Sequence, residues 1–308
     1  MIHLTNQIKH KSIYIQEQEI VLNITTALSF ESSENLLATA DIALKVAKKT
    51  KKHILVYSEE NSLNKEYENN LKWINKIKKA IDEDKIIPVF QPIINNRTKK
   101  CDKYESLVRI IDEDGLLVTP YFFLDISKQT KQYTKITKIM IQKTFETFKN
   151  KDVEFSINLT IEDILDNEIQ EFMFVMLETY NIGKKVVFEI VESESIDNFQ
   201  QIQDFISKVK KYNSKVAIDD FGTGYSNFEY LLRLNIDYIK IDGSLIKEID
   251  IDINKQQVVA TIVDFAHKMK MKTIAEFVEN ESIQEVVEKL GIDFSQGYYF
   301  GKPSVNIS

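Results

Sequence analysis

The sequence predicts an α/β barrel preceded by a small α+β fragment, and two observations carry that reading. Between Ile86 and Phe300, eight apolar runs of strand type alternate with longer amphipathic segments. Six of those runs hold a polar or charged residue inside or at their end, a recurrence that suits strands finishing together on one face. A doubly wound open sheet fits the alternation as well, so the placement of the acidic residues decides between them.

Size and composition bound the answer. With 308 residues the chain has room for one large domain or two ordinary ones. Its 43% hydrophobic and 28% charged residues describe a globular protein with a core. No apolar run approaches the roughly 20 residues of a membrane span. Met1-Ile2-His3-Leu4 does not open a secretory signal, so no membrane segment is expected. Cys101 is the one cysteine, which fits a reducing compartment, and the expected location is cytoplasmic. The net charge of -7 argues against a DNA or RNA polymer as partner, because phosphate backbones reward basic surfaces. It leaves room for a small anion held through metal ions.

Residues 1–60 read as strand, helix, strand. Val21 to Phe30 is β-branched and apolar; Ser32-Ser33 then caps a helix with Leu36, Ala40, Ala43, Leu44 and Ala47 on one face. His53 to Tyr57 is a short buried-type strand. A polar helix follows over 62–84, with Leu63, Tyr67, Leu71, Ile74, Ile77 and Ile81 at steps of three and four. Residues 61–75 are taken as a linker and 76–308 as the barrel. Its strands are expected at 86–93, 103–110, 153–159, 185–191, 215–219, 237–241, 272–275 and 294–300.

The polar residues in these strands are Glu105, Asn158, Glu189, Asp219-Asp220, Lys240 and Glu276. Burying one unpaired carboxylate is costly, and burying several together is worse. Five carboxylates and one ammonium leave a charge of -4 (five negative, one positive), which two divalent cations would balance. A set of carboxylates and one amide, with no Cys or His, selects Mg²⁺ or Mn²⁺ over zinc. After Asp219-Asp220, the run Phe221-Gly222-Thr223-Gly224 permits a tight loop.

In this order the motifs resemble the EAL family of cyclic di-GMP phosphodiesterases, over roughly residues 70–305. Phe90-Gln91-Pro92-Ile93 looks like the family's opening strand and Glu105-Ser106-Leu107-Val108-Arg109 like its signature segment. Asn158-Leu159-Thr160, Glu189 to Glu192, Asp219 to Ser226, Lys240-Ile241-Asp242, Ala275 to Glu279 and Gln296-Gly297-Tyr298 follow. The resemblance implies a modified TIM (β/α)₈ barrel with one antiparallel strand, and hydrolysis of cyclic di-GMP to linear pGpG by a water activated between two metals. It further implies that Glu105, Asn158, Glu189 and Asp219 hold one ion, that Asp219 and Asp220 hold the second, and that Glu276 is a further ligand. Lys240, Glu276 and Glu105 are thereby the expected catalytic residues. Gln91, Arg109 and Gln296 are the expected substrate-side contacts, and Glu192 steadies the loop after Asp220. A homodimer is the assembly the resemblance implies.

The sequence departs from the family pattern at Ser106 (for Ala), Val191 (for Thr) and Phe277 (for Gly). Phe277 is the largest change, since a bulky side chain there is expected to shift Glu276 or crowd the substrate. Separately, Ile24 to Ser29 with Leu36 to Leu44 resembles the last third of a GGDEF domain, without that family's catalytic loop. Two rival functions compete with hydrolysis. One is a receptor that binds cyclic di-GMP without turning it over; the other is a protein scaffold that binds no nucleotide. A His-Asp phosphodiesterase is disfavoured, because none of the four histidines adjoins an Asp.

Overall fold

Strand alternation and helix periodicity resolve into two units, Met1–Asn75 and Lys76–Ser308, in the computed structural model. The structure describes residues 12–15, 18–21, 25–30, 36–49, 52–57, 63–191, 199–222 and 228–307.

In the first unit, strands β1 (Ser12–Ile15) and β2 (Gln18–Val21) pair antiparallel. Strands β3 (Thr26–Leu28) and β4 (Ile54–Val56) pair in parallel, connected through a helix at Leu36–Lys49. The expected strand from Val21 to Phe30 is therefore shorter, and Ser32-Ser33 lies outside the described residues. Ala43, Ala47 and Leu55 form a small apolar cluster, whereas Leu36 is exposed although its spacing put it on the same face. Residues Leu63–Asp82 form the helix that the periodicity predicts. Ile77 is fully buried on it, whereas Leu71, which spacing puts on the same face, is exposed.

The second unit is a closed sheet of eight strands wrapped by helices. They are β5 (Ile86–Asn95), β6 (Cys101–Ile111), β8 (Glu154–Leu159), β9 (Val186–Val191), β10 (Lys215–Phe221), β11 (Tyr238–Ile241), β12 (Lys272–Ala275) and β13 (Phe294–Gln296). A short β7 (Leu117–Val118) only extends β6 at the rim. The hydrogen-bonded order runs β5, β13, β12, β11, β10, β9, β8, β6 and closes from β6 back to β5. Strand β5 is antiparallel to both neighbours and the other seven are parallel. Closure excludes the open-sheet alternative.

Strand alternation then sorts side chains between two cores. Phe188, Ile190, Val216, Ile218, Ile239 and Ile241 point outward and pack with the surrounding helices. Ile93, Val187, Ala217, Tyr238, Ile274 and Phe294 point inward as one apolar layer inside the barrel. The last expected strand, 294–300, ends early at Gln296 because the chain turns at Gly297. A Cβ on Gly297 would stand 2.0 Å from the Val278 carbonyl oxygen, so only glycine admits that approach.

Below the apolar layer lies a charged floor. Glu154 accepts hydrogen bonds from Lys103, Lys215 and the Tyr238 hydroxyl. The Lys103 ammonium also rests over the rings of Tyr238 and Phe294, at 4.6 and 4.7 Å. Burial lowers the pKa of Lys103 below the ordinary lysine value, against the pull of Glu154.

Candidate functional site

Two residues beyond each member of the apolar layer, towards the C-terminal ends of the parallel strands, the side chains change character. Val187 leads to Glu189, Ala217 to Asp219, Tyr238 to Lys240, Ile274 to Glu276 and Phe294 to Gln296. On the antiparallel strand the same step runs backwards, from Ile93 to Gln91, which pairs directly with Glu105. A period of two in six strands thus places the polar set in one ring above a dry layer.

Lys240 occupies the centre of that ring. Its Nζ lies 2.7 Å from Glu189 Oε2, 2.9 Å from Glu276 Oε1, 3.0 Å from Asp219 Oδ1 and 3.5 Å from Glu105 Oε2. Glu105 accepts from Asn158 Nδ2 at 2.8 Å and from Gln296 Nε2 at 2.5 Å. Gln296 Nε2 also reaches Gln91 Oε1 at 3.2 Å, and Gln91 Nε2 donates to the Gly301 carbonyl. Gln296 Oε1 is buried and has no protein hydrogen-bond partner among the described residues. Asp220 has φ +55°, and its backbone N–H donates to Asp219 Oδ1 at 3.0 Å.

Two groups of carboxylates could each hold a cation. Glu105, Glu189 and Asp219 offer oxygens within 4.8 Å of one another, and so do Asp219, Asp220 and Glu276. Asp219 belongs to both. The electrostatics match the crowding. Burial, then repulsion from Glu105 and Asp219, holds the Glu189 carboxyl well above the usual range despite Lys240. Burial, with Asp219 and Glu105 beside it, pushes Glu276 up to about 8. Burial and Asp219 also raise Asp220. Glu105 goes the other way: burial would raise it, but Lys240 and the Asn158 and Gln296 donors hold it below the ordinary value. Burial by itself would lower Lys240, yet its ring of carboxylates keeps the ammonium well above the ordinary lysine value. Three carboxyls that favour their protons are ready to exchange them for cations.

Beside the ring opens a cleft of about 340 Å³, lined by Gln91, Glu105, Arg109, Asp220 and Glu276, and also by Lys247, Phe277 and Tyr298. Every expected site residue except one is thus brought to the barrel mouth. Glu192 lies outside the described residues, as does the loop from Thr223. Arg109 lines the cleft with its guanidinium held to the Val108 carbonyl at 2.8 Å. Phe277 adopts φ +54° and lines the cleft, and Glu276 stands in the second carboxylate group. Sequence reasoning missed Lys247 and Tyr298 as cleft walls. Lys247 sits outside every strand and carries no pattern; Tyr298 directly follows Gln296-Gly297, a signal that could have found it.

Fold and site together define an α/β-barrel protein with a double acidic centre at the C-terminal ends of its strands. The chain belongs to the EAL domain family, whose model matches residues 74–303. It is 30% identical over 280 residues to the cyclic di-GMP phosphodiesterase PdeB of Shewanella oneidensis, covering 88% of this chain and 33% of that protein. It is 32% identical over 248 residues to the cyclic di-GMP phosphodiesterase PdeF of Escherichia coli, covering 78% and 33%. The chain therefore spans about a third of the length of these curated relatives. Among solved structures, the FimX EAL domain of Pseudomonas aeruginosa bound to c-di-GMP superposes with TM-score 0.72 at 24% identity, covering 77% of this chain and 98% of that one. The EAL enzyme Bd1971, in its cGMP-bound form, gives 0.70 at 27% identity over 77% and 66%. These likenesses establish the shared fold.

Proposed function

We propose that this barrel hydrolyses cyclic di-GMP to linear pGpG with two divalent cations, Mg²⁺ or Mn²⁺. The observation that carries this reading is the membership of Asp219 in both carboxylate groups, which would let two cations sit side by side. The donor set fits such ions: it is all oxygen, carries a formal charge of -4 when every carboxyl is ionised and Lys240 is included, and adjoins the unsatisfied Gln296 Oε1. Glu105, Asn158, Glu189 and Asp219 would hold one ion, and Asp219, Asp220 and Glu276 the other. Bound divalent cations supply Lewis acidity towards a phosphodiester and lower the pKa of a water.

The chain's own residues supply the rest. Arg109 carries a fixed positive charge into the cleft, suited to a phosphate oxygen. Gln91 and Gln296 orient Glu105 and border the substrate. Lys240, anchored by carboxylates, steadies the ligand set, and Glu276 bonded to it is the group through which a proton is held or moved. The relatives' names support cyclic di-GMP as the substrate. We read residues 1–60 as a GGDEF-like fragment and the protein as a cytoplasmic homodimer, with Glu192 supporting the loop after Asp220.

The test is direct. Purified protein incubated with cyclic di-GMP and Mg²⁺ or Mn²⁺ is expected to yield pGpG by liquid chromatography, with none in EDTA. A second reading, a receptor that binds without turnover, draws on the half-exposed Phe277 ring that narrows the cleft. Tight binding with no pGpG in either metal would replace hydrolysis with that reading.

A further inference from the structure

The barrel has a second opening, at the end away from the carboxylate ring. Lys272 and Phe294 begin the parallel strands β12 and β13, and Asn95 ends the antiparallel strand β5, so all three meet at the N-terminal end of the sheet. With Asn96, Arg97, Glu288 and Asp293 they line a basal cavity of about 500 Å³, larger than the cleft of about 340 Å³ beside the ring. That size suits a small organic molecule. Four residues separate Lys272 from Glu276, or about 13 Å at the usual rise of a strand. The inner apolar layer lies between the two openings.

The acids and bases that face this cavity are not paired with one another. Its two carboxylates are engaged elsewhere. Asp293 Oδ2 accepts from the Thr273 N–H at 2.9 Å and the Thr273 hydroxyl at 3.1 Å, and meets His267 Nε2 at 2.9 Å. Glu288 pairs with Lys99 and accepts from Gln284. Its two cations are free. Among the described residues the Arg97 guanidinium has no ion-pair or hydrogen-bond partner, and the Lys272 ammonium meets only the Phe294 ring, 5.5 Å from its centroid. Asn96 adds a fixed polar wall. It is 8% exposed, its Oδ1 accepts from Gln284 and Ser295, and its Nδ2 gives one hydrogen to the Ile292 carbonyl at 2.8 Å. The second Nδ2 hydrogen has no acceptor among the described residues. Two unpaired cations beside a buried amide donor are the means by which proteins hold a phosphate group. We propose that the basal cavity binds a small organic phosphate, Arg97 and Lys272 pairing with its phosphate oxygens and Asn96 donating its second hydrogen. Bare phosphate would fill only a small part of the space, so the assignment is to an ester whose uncharged body occupies the rest. The site stands apart from the cyclic-dinucleotide reading, since none of its residues belongs to the carboxylate groups.

Calorimetry in EDTA, with ribose 5-phosphate and inorganic phosphate as probes, tests the assignment. EDTA removes the divalent cations through which the carboxylate ring would draw phosphate. Ribose 5-phosphate should bind at one site per chain, more tightly than inorganic phosphate, and more weakly as salt is raised. Arg97→Gln and Lys272→Gln should each weaken it about tenfold, the loss of one charge-assisted contact. The double variant should bind none, and Lys272→Arg should retain affinity because the charge is kept. Arg109→Gln, at the other opening, should bind ribose 5-phosphate as the parent does. Arg97 and Lys272 are both exposed, so their variants should melt at the parental temperature, which separates lost binding from lost folding. Binding lost in Arg109→Gln but kept in the double variant would place the ligand at the upper cleft and overturn the proposal. So would a parent protein that binds no ribose 5-phosphate, or one that binds inorganic phosphate as tightly.

Discussion

Lys240 donates to Glu189 across 2.7 Å, and each side chain is only 1% exposed. The pair stands above an apolar layer and below the cleft, so a change at either residue leaves charge with no water to receive it. Removing one partner of a buried ion pair typically costs about 3–5 kcal/mol. Lys240→Met should therefore lower unfolding free energy by about 3 kcal/mol or more in EDTA, read by urea denaturation. Added Mg²⁺ should recover much of that loss, because cations can take over the neutralising role. An equal loss with and without Mg²⁺ would contradict the paired-cation site.

Asp219 is shared between the two carboxylate groups, and Asp220 belongs to one. Titration of Mn²⁺ followed by calorimetry should find two ions per chain in the parent. Asp220→Asn should retain one of them, while Asp219→Asn should lose tight binding of both. Glu105→Ala and Asp219→Ala should abolish turnover with folded structure retained by circular dichroism. Two ions bound to Asp219→Asn would show that the sharing is not used.

Burial and its acidic neighbours raise Glu276 from 4.5 to about 8 in the cation-free protein. The sign follows from linkage: the folded state holds this proton more tightly than the unfolded chain does. Its contribution to stability is complete below about pH 4.5 and is lost as pH climbs through about 8. Melting in EDTA should show stability falling over that window, less steeply in Glu276→Gln. Mg²⁺ should stabilise most at the upper end, where the carboxylate is free to bind it. A pH-independent Mg²⁺ effect between 6 and 9 would contradict this account.

The floor of the barrel gives a control away from the site. Glu154 is gripped by Lys103, Lys215 and Tyr238, and Lys103 is 6% exposed. Glu154→Gln would leave two ammonium groups facing each other with no anion, at a cost of about 3 kcal/mol. Urea unfolding should register that loss. Turnover per folded molecule should stay near the parent value, since the apolar layer separates floor from ring.

Much of the site was legible in the chain. Acidic residues inside apolar runs at Glu105, Glu189 and Asp219 announce a burial that only pairing or cations make tolerable, and the register brings them together as that argument requires. Strand ends were less legible. The run 294–300 reads as one strand, yet it stops at Gln296 because Gly297 packs onto the Val278 carbonyl, a contact between segments distant in the chain. Leu36 and Leu71 fit helical stripes by spacing and still face solvent, since spacing says which residues share a face and not how far packing reaches across it.

By itself, then, the sequence determined the alternation of strands and helices and the carboxylates that need neutralising, because residue type and spacing set local conformation and burial cost. Only the tertiary structure decided that the sheet closes, that Lys240 sits among four carboxylates at distances from 2.7 to 3.5 Å, and that Phe277 lines the cleft in a left-handed backbone conformation beside Glu276. Those outcomes depend on distances across the barrel and on one backbone torsion, and neither is written in any local stretch of residues.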